Sequence, residues 1–164
     1  MLAFGNGLKE DLRALRVRVT GKLPADYVVI GHDLRFDYMK LLSAFEAVQH
    51  SAKLYATARG LYFPVGSRLY PGTGVLVHAV EYATGQHAEL LGKPSKHAAR
   101  IVRAFNPFSP NKTVLVGDEL ASDIAIGKTL GYHTVLVQTG VDKGVKMRGL
   151  KPDVVLKSIA DIKI

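Results

Sequence analysis

Asp118 and Asp123 stand five residues apart in Thr113-Val114-Leu115-Val116-Gly117-Asp118-Glu119-Leu120-Ala121-Ser122-Asp123-Ile124, directly after a β-branched run suited to a buried strand. Open α/β sheets place ligands beyond the carboxyl ends of their strands, and that is where Gly117-Asp118 would emerge. Two carboxylates so placed can converge on one hard cation through oxygen ligands and bound water. The same spacing also serves a turn opened by Asp118 and a helix capped by Asp123. Lys93 lies in Leu90-Leu91-Gly92-Lys93-Pro94-Ser95, another strand end ahead of a helix. In the crevice its ammonium would neutralise a phosphate and a carboxylate together. Taken alone, Gly-Lys-Pro equally describes a surface lysine before a helix whose first turn accepts Pro94.

These side chains need a frame that brings strand ends together, and the rest of the chain supplies one. Leu8, Leu12 and Leu15 predict a helix over 8–15, followed by a short strand over 16–19. Tyr27-Val28-Val29-Ile30 reads as a buried strand, and Leu41, Leu42, Phe45 and Val48 form the apolar face of a helix over 38–49. Lys53-Leu54-Tyr55-Ala56 is the next strand. With two glycines, two prolines and little periodicity, the stretch from Gly60 to Pro71 reads as a linker or hinge. Beyond it, helices are expected over 73–83, 95–105 and 121–130, strands over 88–91, 113–116, 134–137 and 154–156, and a final helical turn over 158–162. Alternating strands and helices predict an α/β fold whose parallel sheet is covered on both faces.

At 164 residues, with 48% hydrophobic and 22% charged residues, the chain can bury a real core. No apolar run approaches the ~20 residues that span a bilayer, and the opening Met-Leu-Ala-Phe-Gly-Asn is too short and uncharged for a signal peptide. A cytoplasmic location is the expectation. The absence of cysteine excludes disulfides and thiolate metal sites. A formal charge of +8 suits nucleic acid, an acidic membrane surface or a small anionic substrate. The cations are scattered, and their densest group, Lys143, Lys146 and Arg148, has no interleaved aromatic residues of the kind that stack on single strands.

Taken in order, Gly-Lys-Pro-Ser, an apolar strand, Gly-Asp-x-x-x-x-Asp-Ile, and Gly131-Tyr-His-Thr-Val-Leu-Val-Gln-Thr-Gly140-Val resemble the haloacid dehalogenase superfamily. They are most similar to its branch with a large α/β cap, which includes p-nitrophenylphosphatase-like and phosphoglycolate-phosphatase-like proteins. Upstream, Tyr27-Val28-Val29-Ile30-Gly31 with Phe36, Tyr38, Lys40 and Leu41 resembles the cap strand and helix of that branch. Leu69-Tyr-Pro-Gly-Thr-Gly74 resembles its return into the core, and Pro152-Asp153-Val154-Val155 with Ser158-Ile159 resembles its end. The resemblance implies a partial Rossmann-like parallel core over 68–164 and a partial α/β cap over 1–67. It further implies Asp118 as a Mg2+ ligand, Asp123 as a support for the metal or its waters, and Lys93 as the holder of the phosphoryl group. Ser95 and Glu119 are neighbours without an implied task.

The family reaction is attack by an aspartate on a phosphate ester, then hydrolysis of the aspartyl-phosphate, with a second aspartate two residues on as acid and base. An apolar strand running into Asp-x-Asp-Gly has no counterpart here. The nearest imitation, Val28-Val29-Ile30-Gly31-His32-Asp33, has Arg35 at the second position and belongs to the cap by the resemblance. Ala56-Thr57-Ala58-Arg59-Gly60 also departs from the Ala-Thr-Asn-x-Asp common in relatives, which removes two polar groups from substrate recognition. The expectation is therefore the cap and C-terminal core portion of a Mg2+-dependent phosphomonoester hydrolase of small phosphorylated metabolites, inactive as an isolated chain. Loss of the family's first strand would leave an open sheet edge able to recruit an N-terminal companion chain or a second copy. A noncatalytic module that binds through this edge is the rival expectation, with membrane and nucleic acid set aside as partners.

Gly127-Lys128-Thr129 lacks the earlier glycine of a phosphate loop, since Ser122 occupies that place. Gly72-Thr73-Gly74 lacks the third glycine of a dinucleotide fingerprint, and the histidines, including His78, His87 and His97, show no zinc-helix spacing.

Overall fold

The computed structural model describes residues 1–143 and 149–162 and divides into two compact units, 1–91 and 92–164. Both are α/β with parallel sheets, as the alternation of elements predicts. Lys146 and Arg148 lie outside the described residues.

The first unit holds β1 (Leu2–Phe4), α1 (Asn6–Ala14), β2 (Tyr27–Ile30), α2 (Tyr38–Gln49), β3 (Lys53–Ala56), β4 (Tyr62–Val65), β5 (Arg68–Pro71), α3 (Thr73–Thr84) and β6 (Glu89–Leu90). Its parallel sheet runs β1-β2-β3-β6. Val28, Val29 and Ile30 of β2 are all buried because helices cover the sheet, so the strand reads as a continuous apolar run. On α2 the buried face is Ala44, Ala47 and Val48. The larger Leu42 and Phe45, expected inside, are only half-buried. Small alanines let α3 pack closely, and its Val77 and Val80 fill the space between them. Each fully buried valine or isoleucine of this cluster contributes about 1.5–3 kcal/mol. Asp37 caps α2 by accepting from the Lys40 N–H at 2.8 Å, and Gly85, at φ 69°, ends α3 in the left-handed region.

Three expectations change here. Residues 16–19 form no strand, because the Val17 N–H turns back to the Leu12 carbonyl at 2.9 Å and closes α1. A buried strand, β1, precedes that helix instead. Most of the expected linker over 60–71 is the antiparallel hairpin β4–β5, turned by Gly66 at φ 61°. The division between units also falls at Leu91–Gly92, whereas the sequence suggests 67/68. The cause is packing: α3 lies on α2, and β6 adds to β3, so residues 73–90 share the core of β2 and β3.

The second unit holds α4 (Lys96–Phe105), β7 (Val114–Gly117), α5 (Ala125–Leu130), β8 (His133–Val137) and β9 (Val154–Leu156). A wide π-helical turn over Leu120–Ile124 leads into α5. The sheet order is β7-β8-β9, all parallel. Ile126, Leu130 and Tyr132 pack against Ala98, Ala99 and Val102 of α4 and against Leu115. Asp153 ties the start of β9 to β8: its carboxylate accepts from the Thr134 N–H at 2.7 Å, the Thr134 hydroxyl at 2.8 Å and the Lys128 ammonium at 2.5 Å. Those bonds, the Lys128 bond first, hold its carboxyl well below the usual aspartate range. Among the described residues β7 pairs only with β8, and Val114 on it is 57% exposed.

Candidate functional site

The carboxyl end of β7 gathers the three side chains that the sequence singles out, all within the second unit. β7 delivers Gly117 and Asp118 to the sheet edge, and the π-helical turn brings Asp123 back beneath them. Asp123 is buried, and each of its oxygens has a task. Its Oδ2 accepts from the backbone N–H groups of Asp118 at 3.1 Å and Glu119 at 3.2 Å. Its Oδ1 accepts from the Lys93 ammonium at 2.5 Å. The Lys93 side chain is 52% exposed while that of Asp123 is 10% exposed, so the ammonium is anchored on one side and open to solvent on the other. Lys93 comes from the segment after β6, where Ser95 caps α4 by accepting from the Ala98 N–H at 3.2 Å. Pro94 therefore precedes the cap and stands outside the first helical turn.

Close approach explains Gly117. A side chain there would overlap the Cβ and Cγ of Asp123, so only glycine lets the carboxylate fold back under the strand end. Asp123 thus organises the preceding turn, and it does not cap the helix that follows.

Asp118 is held differently. Its Oδ2 accepts from the Val141 N–H at 2.9 Å, and no group among the described residues donates to Oδ1. Glu119 is occupied locally, accepting from the Ser122 hydroxyl at 2.5 Å.

No three His, Asp or Glu side chains converge as a metal-ligand set among the described residues. Mg2+ does not require one. It is commonly held by one or two carboxylates, with water and substrate phosphate completing the octahedron. Asp118, whose Oδ1 has no donor among the described residues, fits that donor chemistry. Asp123 has both oxygens engaged and fits a supporting position behind it.

Asp142, just past the quoted Gly140-Val141, escapes the sequence reading. Gly140, Val141 and Asp142 reach the same edge because β8 lies parallel and adjacent to β7. Asp142 accepts from the Leu120 N–H at 2.5 Å, and its own N–H donates to the Asp118 carbonyl at 3.1 Å. Adjacency of the two strand ends was the available signal.

Asp33, the nearest imitation of a nucleophile, lies in the first unit and is fully tied. Its oxygens accept from the Gly5 N–H at 3.2 Å, the Arg35 N–H at 2.9 Å and the Lys40 ammonium at 3.0 Å. Burial alone would raise its pKa, but the Lys40 and Arg35 hydrogen bonds, the Lys40 charge and the Gly5 N–H outweigh it and hold the carboxyl below its ordinary value. Arg59, in the departed cap-loop segment, forks onto Glu81 of α3 at 2.6 and 3.2 Å and donates to the Ala88 carbonyl at 2.8 Å. It braces the stem of the β4–β5 hairpin, where Gly74 and Gly72 donate to the Gly60 and Leu61 carbonyls.

Comparison with known proteins places this geometry among relatives. The HAD-hydrolase-like family model matches residues 90–162. Chronophin from Mus musculus is 35% identical over 173 residues, covering 96% of this chain and 59% of the relative. Glycerol-3-phosphate phosphatase from Homo sapiens is 36% identical over 148 residues, covering 82% of this chain and 46% of the relative. Among solved structures, the p-nitrophenyl phosphatase from Archaeoglobus fulgidus superimposes with a TM-score of 0.85 at 31% identity, over 98% of this chain and 64% of that one. The chain therefore spans less than two thirds of the length of each of these three proteins.

Proposed function

Because this chain belongs to the haloacid dehalogenase superfamily, in the branch of its cap-bearing phosphatases, we propose that it carries the phosphate- and Mg2+-binding portion of a phosphomonoester hydrolase acting on small phosphorylated metabolites. One observation carries the reading: the Lys93 ammonium lies 2.5 Å from Asp123, whose other oxygen secures the backbone of Asp118 at the end of β7. Lys93 would bind and orient the phosphoryl group through its solvent-open side, with Asp123 keeping the ammonium in place. Asp118 would hold Mg2+ through Oδ1, and Asp123 would support the metal or its waters. When bound, Mg2+ supplies charge stabilisation on the phosphoryl oxygens. Residues 1–67 would be part of the cap and 68–164 part of the core in this reading, with α3 and β6 packed on the cap side. A cytoplasmic location accords with it, and no helix among the described residues is long and apolar enough to cross a membrane.

No Asp-x-Asp pair occurs anywhere in the 164 residues, so these residues bind but do not attack. The purified chain should show no hydrolysis of p-nitrophenyl phosphate with Mg2+, yet should bind Mn2+ and inorganic phosphate. Lys93→Ala should weaken phosphate and Asp118→Asn should weaken the metal. Turnover that Asp118→Asn abolishes would overturn the claim of inactivity. Absence of both binding events would overturn the phosphatase reading.

The edge of β7, unpaired on one side among the described residues, favours a second reading, a noncatalytic module that recruits a companion strand or a second copy. Val114 at that edge and Ile101 and Phe105 on α4 leave apolar surface exposed. Concentration-dependent mass in sedimentation, lost in Val114→Lys, would support it, and a monomer at all concentrations would remove self-association.

A further inference from the structure

The loop after β8 grips the Asp118 turn with three hydrogen bonds and approaches it closely at Gly140, and none of these is used by the proposal above. The Val141 N–H binds the Asp118 carboxylate, and the Asp142 N–H binds the Asp118 carbonyl. The Asp142 carboxylate binds the Leu120 N–H. A side chain at Gly140 would collide with the Asp118 carboxylate, so that position must stay bare. With Asp123 on the amides of Asp118 and Glu119, three successive backbone N–H groups, at 118, 119 and 120, are all closed by carboxylates. The turn is thus locked from below by Asp123 and from the side by Asp142. Oδ1 of Asp118 is left without a donor among the described residues.

We infer that Asp142 and Gly140 are positioning residues: the loop they shape orients Asp118 so that one oxygen is bound by Val141 and the other faces a divalent cation. The inference rests on the metal reading above and adds the device that aims the ligand. In this inference Asp142 acts through the backbone. Its carboxylate holds the turn at Leu120, and its backbone holds the Asp118 carbonyl. Groups that orient a ligand from behind typically contribute 10–100-fold to metal affinity. An asparagine at 142 keeps an oxygen for the Leu120 N–H, so it should preserve the arrangement where alanine does not.

The test uses the whole 15N-labelled chain, with Mn2+ as the probe. Mn2+ titration by paramagnetic broadening gives affinity, and amide hydrogen exchange at Leu120 and Val141 gives the state of the loop. Asp142→Ala should weaken Mn2+ tenfold or more and strip protection from both amides. Asp142→Asn should retain both properties, and Gly140→Ala should weaken Mn2+ by displacing Asp118. Unchanged affinity in Asp142→Ala, or protection retained at Leu120 and Val141, would overturn the inference and leave the metal reading standing. Wild-type chain that shows no Mn2+ broadening near Asp118 would overturn the metal reading, and this inference with it.

Discussion

Replacing Asp123 tests whether that carboxylate organises the site, and the structure sets the expected size of the effect. Asp123→Ala removes the acceptor from two partly buried amides, those of Asp118 and Glu119. Leaving each unsatisfied costs about 1–3 kcal/mol. Lys93 adds little, because its half-exposed ammonium returns to water. The sum is about 2–6 kcal/mol for the second unit. Asp123→Asn keeps an oxygen for both amides but replaces charge-assisted bonds by neutral ones, which lowers each by about 1 kcal/mol and gives about 2 kcal/mol in all. With a slope of about 1–3 kcal/mol per molar urea, the alanine variant should unfold at least about 0.7 M earlier than wild type. Tyr132 is the only tyrosine in residues 92–164, is buried, and has its hydroxyl bound by Asn106 at 3.0 Å. Fluorotyrosine NMR therefore reads the second unit separately from the first during urea denaturation. An alanine variant within about 1 kcal/mol of wild type would refute the argument, as would an asparagine variant less stable than alanine.

The remaining expectations concern other parts of the molecule. Glu81 is held below its ordinary value of 4.5: burial pushes the other way, but the Arg59 hydrogen bonds, the Ala88 N–H and the charges of Arg59 and His78 prevail. Its contribution is therefore complete above pH 4.5 and is lost as pH falls through the depressed folded value, so the first unit should weaken on acidification below that point. Glu81→Gln should flatten that acid limb in urea denaturation followed by the tyrosines of residues 1–91, and an unaltered limb would contradict it. Gly117→Ala should dislodge Asp123 and weaken inorganic phosphate binding together with Mn2+, measured by calorimetry, whereas Gly7→Ala, with open space around it, should leave both unchanged.

Where local pattern and tertiary burial agree, the elements are legible: β2, α2, β3, α3 and α4 all lie within a residue or two of their expected bounds. The misses have separate causes. β1 is three residues long, too short for periodicity, and only its pairing with β2 makes it a strand. The β4–β5 hairpin hides behind Pro64 and Pro71 and exposed side chains, although Gly66-Ser67 between two short aromatic runs is a two-residue turn signal. The compact units divide at Leu91–Gly92 and not at the glycine- and proline-rich stretch, because packing of α3 on α2 decides which residues share a core. Lys93 and Asp123 do meet, at 2.5 Å, as their places after successive strands suggest. Their shared partner, the backbone at 118–120, is invisible to side-chain spacing. Asp142 is hidden for the same reason, since it acts on main-chain groups far away in sequence.

Every group proposed to grip phosphate or cation lies between Lys93 and Asp142, downstream of the Leu91–Gly92 divide. A single crossover at that divide would therefore move the ion-handling apparatus as one genetic block, leaving the β4–β5 hairpin and its supporting sheet behind. Chimeras joined there offer a direct way to ask whether selectivity and ion handling evolve as separable inheritances.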